Sequence, residues 1–175
     1  MNRESKVALL NRVLHGTVNS VVQYIDVSMP YVPPYCEDKL PELQRLRDEE
    51  ARTANELAGL VAELDGVPQV DVFPYWNVDL NYLDVRFLAK FAADHQKKFL
   101  AELESALPGV REDARLRSAL ERILAEKRAH LAVLEEIAAI PTPAPDPERV
   151  KKAEPAECQN VPRPVREKKP ARGKG

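Results

Sequence analysis

The chain has 175 residues, 44% of them hydrophobic and 31% charged, with a formal net charge of −2. That length suits one domain of about 100–200 residues, and the composition excludes a collagen-like chain or one too polar to bury a core. No run approaches the roughly 18 apolar residues of a membrane span, MNRESKVALLNRV regains charge before a signal-peptide core forms, and the charge balance gives no global attraction to nucleic acid.

The expectation is a soluble cytoplasmic protein with no membrane partner. Cys36 and Cys158 lack any C-x-x-C neighbour, which excludes a disulfide framework or a thiolate metal knot and leaves both as expected free thiols. No glycine-rich phosphate loop, Cys-His zinc spacing or nucleophile elbow is present.

Helix A is predicted from Ser5 to Ser28, with Val7, Leu10, Leu14, Thr17, Val21 and Tyr24 at steps of three and four until Pro30, Pro33 and Pro34 stop it. Helix B runs from Pro41, suited to a first turn, to Asp65, with Gly66 and Pro68 as the stop. Its stripe is Leu43, Leu46, Glu50, Thr53, Leu57, Leu60 and Leu64. Helix C spans Asp79 to Leu107 through Leu80, Leu83, Phe87, Phe91 and Asp94, after which the apolar face drifts to Phe99, Leu103 and Leu107. Helix D starts near Asp113, a suitable N-cap, and repeats Leu116, Leu120, Ile123, Lys127, His130, Leu134 and Ile137 before Pro141.

Four long helices make an all-α bundle, and the links choose its topology. The A–B and C–D links are short and suit antiparallel neighbours. Gly66 to Val78 supplies thirteen residues between B and C. Fully extended, these reach about 43 Å, enough to run the length of a helix of about 39 Å. Helices B and C can therefore lie parallel, the crossover arrangement of ferritin-like folds. The segment's Val, Phe, Tyr and Trp content suggests that it packs along the bundle as an extended strand.

The stripes are interrupted at mid-bundle. Thr17, Glu50, Thr53, Asp94, Lys127 and His130 all take positions that periodicity assigns to the core. An unpaired buried ion costs several kcal/mol, so these groups are expected to face one another or a ligand as one polar cluster. Tyr24, if buried beside them, would find a partner in Glu50 or Asp94. The spacing i, i+3 relates Glu50 with Thr53 to Lys127 with His130 by pseudo-symmetry. Of the run Asp48, Glu49 and Glu50, only Glu50 lies on the stripe, and the others are expected to be solvated. His15 lies about 200° from Thr17 and points away, while His95 adjoins Asp94 on the drifted face.

These residues carry a resemblance. LLNRVLHGTVNSVVQYI is similar to the first helix of bacterioferritins, with Gln23 and Tyr24 in place of their Asn-Gln-Tyr; DEEARTANELAGLVAELDGVP resembles their first Glu-x-x-His helix with its Gly-x-Pro exit; and ERILAEKRAHLAVLEEI resembles the second. The resemblance covers roughly residues 5 to 140 and implies a ferritin-like four-helix bundle that assembles as a homo-oligomer.

It also implies where the chemistry departs. In that alignment Thr17 replaces the helix A Glu, Glu50 is kept but Thr53 replaces His, Asp94 replaces Glu, and Lys127 replaces Glu beside a retained His130. Ala51 stands where the resemblance calls for the haem-ligating Met, so no haem is expected there. A protonated lysine has no lone pair and cannot ligate a metal. One reading is a degenerate di-iron site in which Lys127 pairs with Glu50 or Asp94, leaving a non-catalytic structural or interaction protein without a cofactor. The alternative is a mononuclear site of Glu50, Asp94 and His130 for iron, zinc or manganese, in an iron-handling oxidoreductase or iron-storage protein.

Residues 141–175 hold eight of the fifteen prolines, nine Lys or Arg and five acids, a balance of +4 against −6 for residues 1–140. They read as a disordered basic tail following the bundle of residues 1–140. Such a tail can solubilise, recruit a protein, or bind nucleic acid through phosphates as in Dps-like ferritin relatives.

Overall fold

The structure, a computed structural model, describes residues 1–25, 27–70 and 80–143. The chain divides into two units, Met1–Ile140 and Pro141–Gly175. The strand expected around Val67–Tyr75 falls largely outside the described residues, as do most of the basic tail and Cys158.

The first unit contains α1 (Arg3–Val18), α2 (Val21–Tyr24), a 3-10 turn at Pro34–Lys39, α3 (Leu40–Glu63), α4 (Val85–Ala106), a second 3-10 turn at Leu107–Val110, and α5 (Ala114–Ala138). Polar caps start α1 and α5, the second at the Asp113 that the sequence predicts. Asn2 accepts from Ser5 N at 2.8 Å, and Asp113 from Leu116 N at 3.0 Å. The same Asp113 carboxylate receives Lys6 Nζ at 2.6 Å, joining the first turns of α1 and α5.

At the end of α3, Asp65 takes the left-handed conformation (φ 52°), with Asp65 N bonded to Ala62 O and Gly66 N to Val61 O. This is a Schellman ending in which Asp65 holds the position usually given to glycine. Gly66 answers a packing need instead, since a Cβ there would stand 2.7 Å from Val7 Cγ1.

The bundle core comes in two apolar halves. One joins the early part of α1 (Leu10, Leu14) to the late part of α3 (Leu57, Val61), the late part of α4 (Leu100, Leu103) and the early part of α5 (Leu116, Leu120). The other joins Val21 and Val22 of α2 to early α3 (Leu43, Leu46), early α4 (Val85, Leu88) and late α5 (Leu134, Ile137). Hence α1 is antiparallel to α3, α4 is antiparallel to α5, and α3 runs parallel to α4, as the long crossover requires.

Two expectations are corrected. Helix A does not continue unbroken to Ser28: it ends at Val18 and restarts at Val21, because Ser20 caps the new turn by accepting from Gln23 N at 3.3 Å. Helix C begins at Val85, where the Asp84 carboxylate accepts from Arg86 N at 2.8 Å. Its buried face is Val85, Leu88, Ala89, Ala92, Ala93, Gln96, Leu100 and Leu103, leaving Phe87 52% exposed. Three alanines let α4 pack closely against its neighbours. A search for large apolar residues assigns that face to the wrong side of the helix.

Candidate functional site

Between the two apolar halves lies a polar layer. Glu50 on α3 and Lys127 on α5 are both 0% exposed, and Lys127 Nζ lies 2.6 Å from Glu50 Oε1. The approach is off the axis of a directed hydrogen bond, so the pairing is chiefly ionic. The second Glu50 oxygen accepts from the Ser20 hydroxyl, which the break between α1 and α2 turns inward. On its other side, Lys127 Nζ stands 5.7 Å from the centroid of the Phe99 ring, within the range of a cation–π contact.

His130 spans two carboxylates. Its Nε2 lies 2.9 Å from Glu49 Oε2, and its Nδ1 lies 3.5 Å from Glu50 Oε1. Gln96 Nε2 donates to the carbonyl of Lys127 at 3.0 Å and ties α4 to the same layer. Thr53 donates to Glu126 Oε1 at 2.7 Å at its edge.

Burial alone would raise the Glu50 carboxyl pKa. The Lys127 charge, with the nearby His130 ring and the hydrogen bond from Ser20, outweighs burial and holds Glu50 below its ordinary value. Glu49 is treated alike: burial pushes it up, but His130 and Arg45 bring it below its ordinary value. The layer thus holds two carboxylates, one ammonium and one imidazole, with net charge −1 or 0 according to the imidazole. Near-neutrality is what allows charges to remain in a core.

No family model matches the chain, and no curated protein matches it. Among solved structures, a bacterioferritin of Desulfovibrio desulfuricans, described with its diiron site in different catalytic states, aligns with a TM-score of 0.58 at 23% identity, covering 79% of this chain and 82% of that one. The fold is ferritin-like. At that identity the likeness concerns architecture, and the ferritin-like bundle's chemistry rests on its own residues.

Those residues do not fit a pair of iron ions. Two metal cations need several converging carboxylates, whereas here an ammonium lies against the fully buried Glu50 carboxylate. Among the described residues no group of three His, Cys, Asp or Glu is arranged to hold a metal.

Of the sequence-derived cluster, Glu50, Lys127 and His130 are brought together, with Thr53 buried at the edge. The other three take different faces or partners. Asp94 is exposed, because the alanine face of α4 turns it outward, so the trio Glu50, Asp94 and His130 does not assemble. Thr17 is buried but donates back to Val13 O at 2.9 Å within its own helix. Tyr24 donates to Asn81 Oδ1 at 2.9 Å near the start of α4.

Three participants escape the stripe analysis: Ser20, Gln96 and Glu49. Ser20 carried a signal, since Asn-Ser inside a long apolar pattern marks a helix break. Gln96 follows once Ala89, Ala92 and Ala93 are taken as core. Glu49 was expected to be solvated, but one helical step from Glu50 still reaches a histidine projecting from α5.

His15 lies within 3.1 Å of Asn19 Nδ2, and exposed His95 packs on Phe91 with ring centroids 4.6 Å apart. Cys36 is fully buried in the core half near α2, where burial raises its thiol pKa. No helix among the described residues is long and apolar enough to cross a membrane.

Proposed function

We propose that this chain is a ferritin-like bundle in which the Lys127 ammonium supplies the internal positive charge that metal ions would bring, and that it acts as a structural or interaction protein rather than a ferroxidase. The observation that carries this reading is the contact of 2.6 Å between two completely buried side chains, Lys127 and Glu50. A metal could use Glu50 only after the ammonium is displaced or loses its proton, and the ion pair opposes both.

An interaction role gains support from the surface beside the α2 half of the core. Val27, Met29, Tyr31, Tyr82 and Phe87 are 68%, 66%, 60%, 73% and 52% exposed. Their segments are joined by Tyr82 N to Ser28 O, Tyr31 N to Leu83 O and Val85 N to Tyr31 O. Met29 and Tyr82 take positive φ (45° and 61°), which costs about 1–2 kcal/mol per residue outside glycine. A strained backbone presenting apolar side chains is a surface suited to association, including with further copies of the chain.

The test is elemental analysis of protein purified without chelator and reconstituted anaerobically with ferrous iron. The reading expects no stoichiometric metal; about one or two equivalents per chain, lost in Glu50→Ala or His130→Ala, would overturn it. That outcome would favour the second reading, iron handling.

A further inference from the structure

Beside the ion pair, and separate from it, a recess of about 300 Å³ opens between the α1–α2 break and α4. This is at the lower end of the usual size of small-ligand pockets, about 300–1,000 Å³. The break creates it by placing Asn19 and Ser20, rather than another helical turn, opposite Ala92 and Gln96. Gly16 completes one wall: a Cβ there would lie 2.4 Å from the Phe99 ring, so only glycine lets that ring rest on α1. Val22, Ala92 and Phe99 give the recess an apolar side.

The polar side has an unusual inventory. Asn19 Oδ1 is buried without a hydrogen-bond partner, while its Nδ2 is occupied by His15 at 3.1 Å. A buried acceptor in this condition is costly and calls for a donor. On α4, the exposed Lys98 and Glu102 both line the recess, one turn apart. His95 also lines it, its pKa lowered by partial burial and then by Lys98 against the opposing pull of Asp94.

One cation, one anion and one unpartnered acceptor beside a small apolar wall define the complementary ligand. We propose that this recess binds a small zwitterionic α-amino acid, its carboxylate toward Lys98, its ammonium toward Glu102 and Asn19 Oδ1, and its side chain against Val22, Ala92 and Phe99. The recess touches the buried layer through Ser20, which donates to Glu50, and Gln96, which donates to the Lys127 carbonyl. A bound ligand would therefore stiffen the α1–α2 break against the ion pair. The inference does not depend on whether the layer takes up metal.

The chain has three histidines, His15, His95 and His130, and the first two line the recess. Titration of the full-length protein with L-alanine, followed by the imidazole NMR signals, should give saturable shifts at His15 and His95 that exceed those at His130. Acetate and methylamine, each carrying half of the charge pattern, should need at least about tenfold higher concentration, a difference of about 1.4 kcal/mol. Lys98→Ala and Glu102→Ala should each weaken L-alanine by a similar factor, with unchanged melting curves showing that the fold is kept. No saturable shift, equal response to acetate or methylamine, or undiminished binding in both variants would each overturn the proposal.

Discussion

The two apolar halves of the bundle and the layer between them share α3, α4 and α5 but hold by different physics. In the halves, leucines such as Leu57 and Leu120 are completely buried against other leucines and tolerate any arrangement that fills space. In the layer, Glu50, Lys127 and His130 are equally buried, yet each is tolerable only because of its neighbours. The halves supply net stability. The layer fixes how α3, α5 and the α1–α2 break must align, since a shift of one helix would leave an ion without its partner.

The largest effect expected from breaking this contrast is in the layer. Lys127→Ala orphans Glu50 and should cost about 3–5 kcal/mol in urea unfolding, whereas Lys127→Met with Glu50→Leu removes both charges and should be near neutral or more stable by about 1–4 kcal/mol. A double variant as unstable as the single one would show that the layer's value lies elsewhere. In the halves, Leu120→Ala should cost about 2–5 kcal/mol by transfer and cavity terms, and no second substitution of its neighbours by polar residues should restore the loss. Recovery by such a change would erase the distinction between the regions.

A smaller effect concerns acid. Glu50 and Glu49 are held below their ordinary values, so the stability they contribute is present above the unfolded carboxylate pKa and is lost as pH falls through their folded values. Unfolding free energy should therefore decline below about pH 4.5, the ordinary glutamate value. Glu50→Gln should flatten that decline while lowering stability at neutral pH; an unchanged acid limb would contradict the assignment. The smallest effect is at the bundle end, where Asp113→Ala removes a helix cap and the partner of Lys6. It should cost about 1–2 kcal/mol and remove a small share of the acid limb, because the Lys6 contact and the Leu116 amide hold the Asp113 carboxyl below its ordinary value.

The fold was legible where large apolar residues repeat. The stripe from Leu116 to Ile137 on α5 is buried throughout, including Lys127 and His130. The α3 stripe is buried from Leu43 to Leu57, including Glu50 and Thr53. It is illegible where small residues carry the packing: Ala89, Ala92 and Ala93 face the core of α4 while bulkier Phe87 is exposed, so the stripe of large residues places Asp94 inward and passes over Gln96. The half-sites on α3 and α5 could be read from periodicity, but Ser20 depends on a helix break that leucine spacing passes over. Tyr24 shows the converse limit, since its place on the stripe did not determine which polar group its hydroxyl would meet.

The central claim is that the Lys127 ammonium, and not a metal, balances Glu50 in the native bundle. Thermal unfolding under anaerobic conditions, with and without excess ferrous iron, tests it most directly, because a ligand bound only by the folded state stabilises it by about 2.7 kcal/mol at a hundred times its dissociation constant. The account predicts the same transition temperature in both samples. A rise with iron that disappears in Glu50→Ala would contradict it.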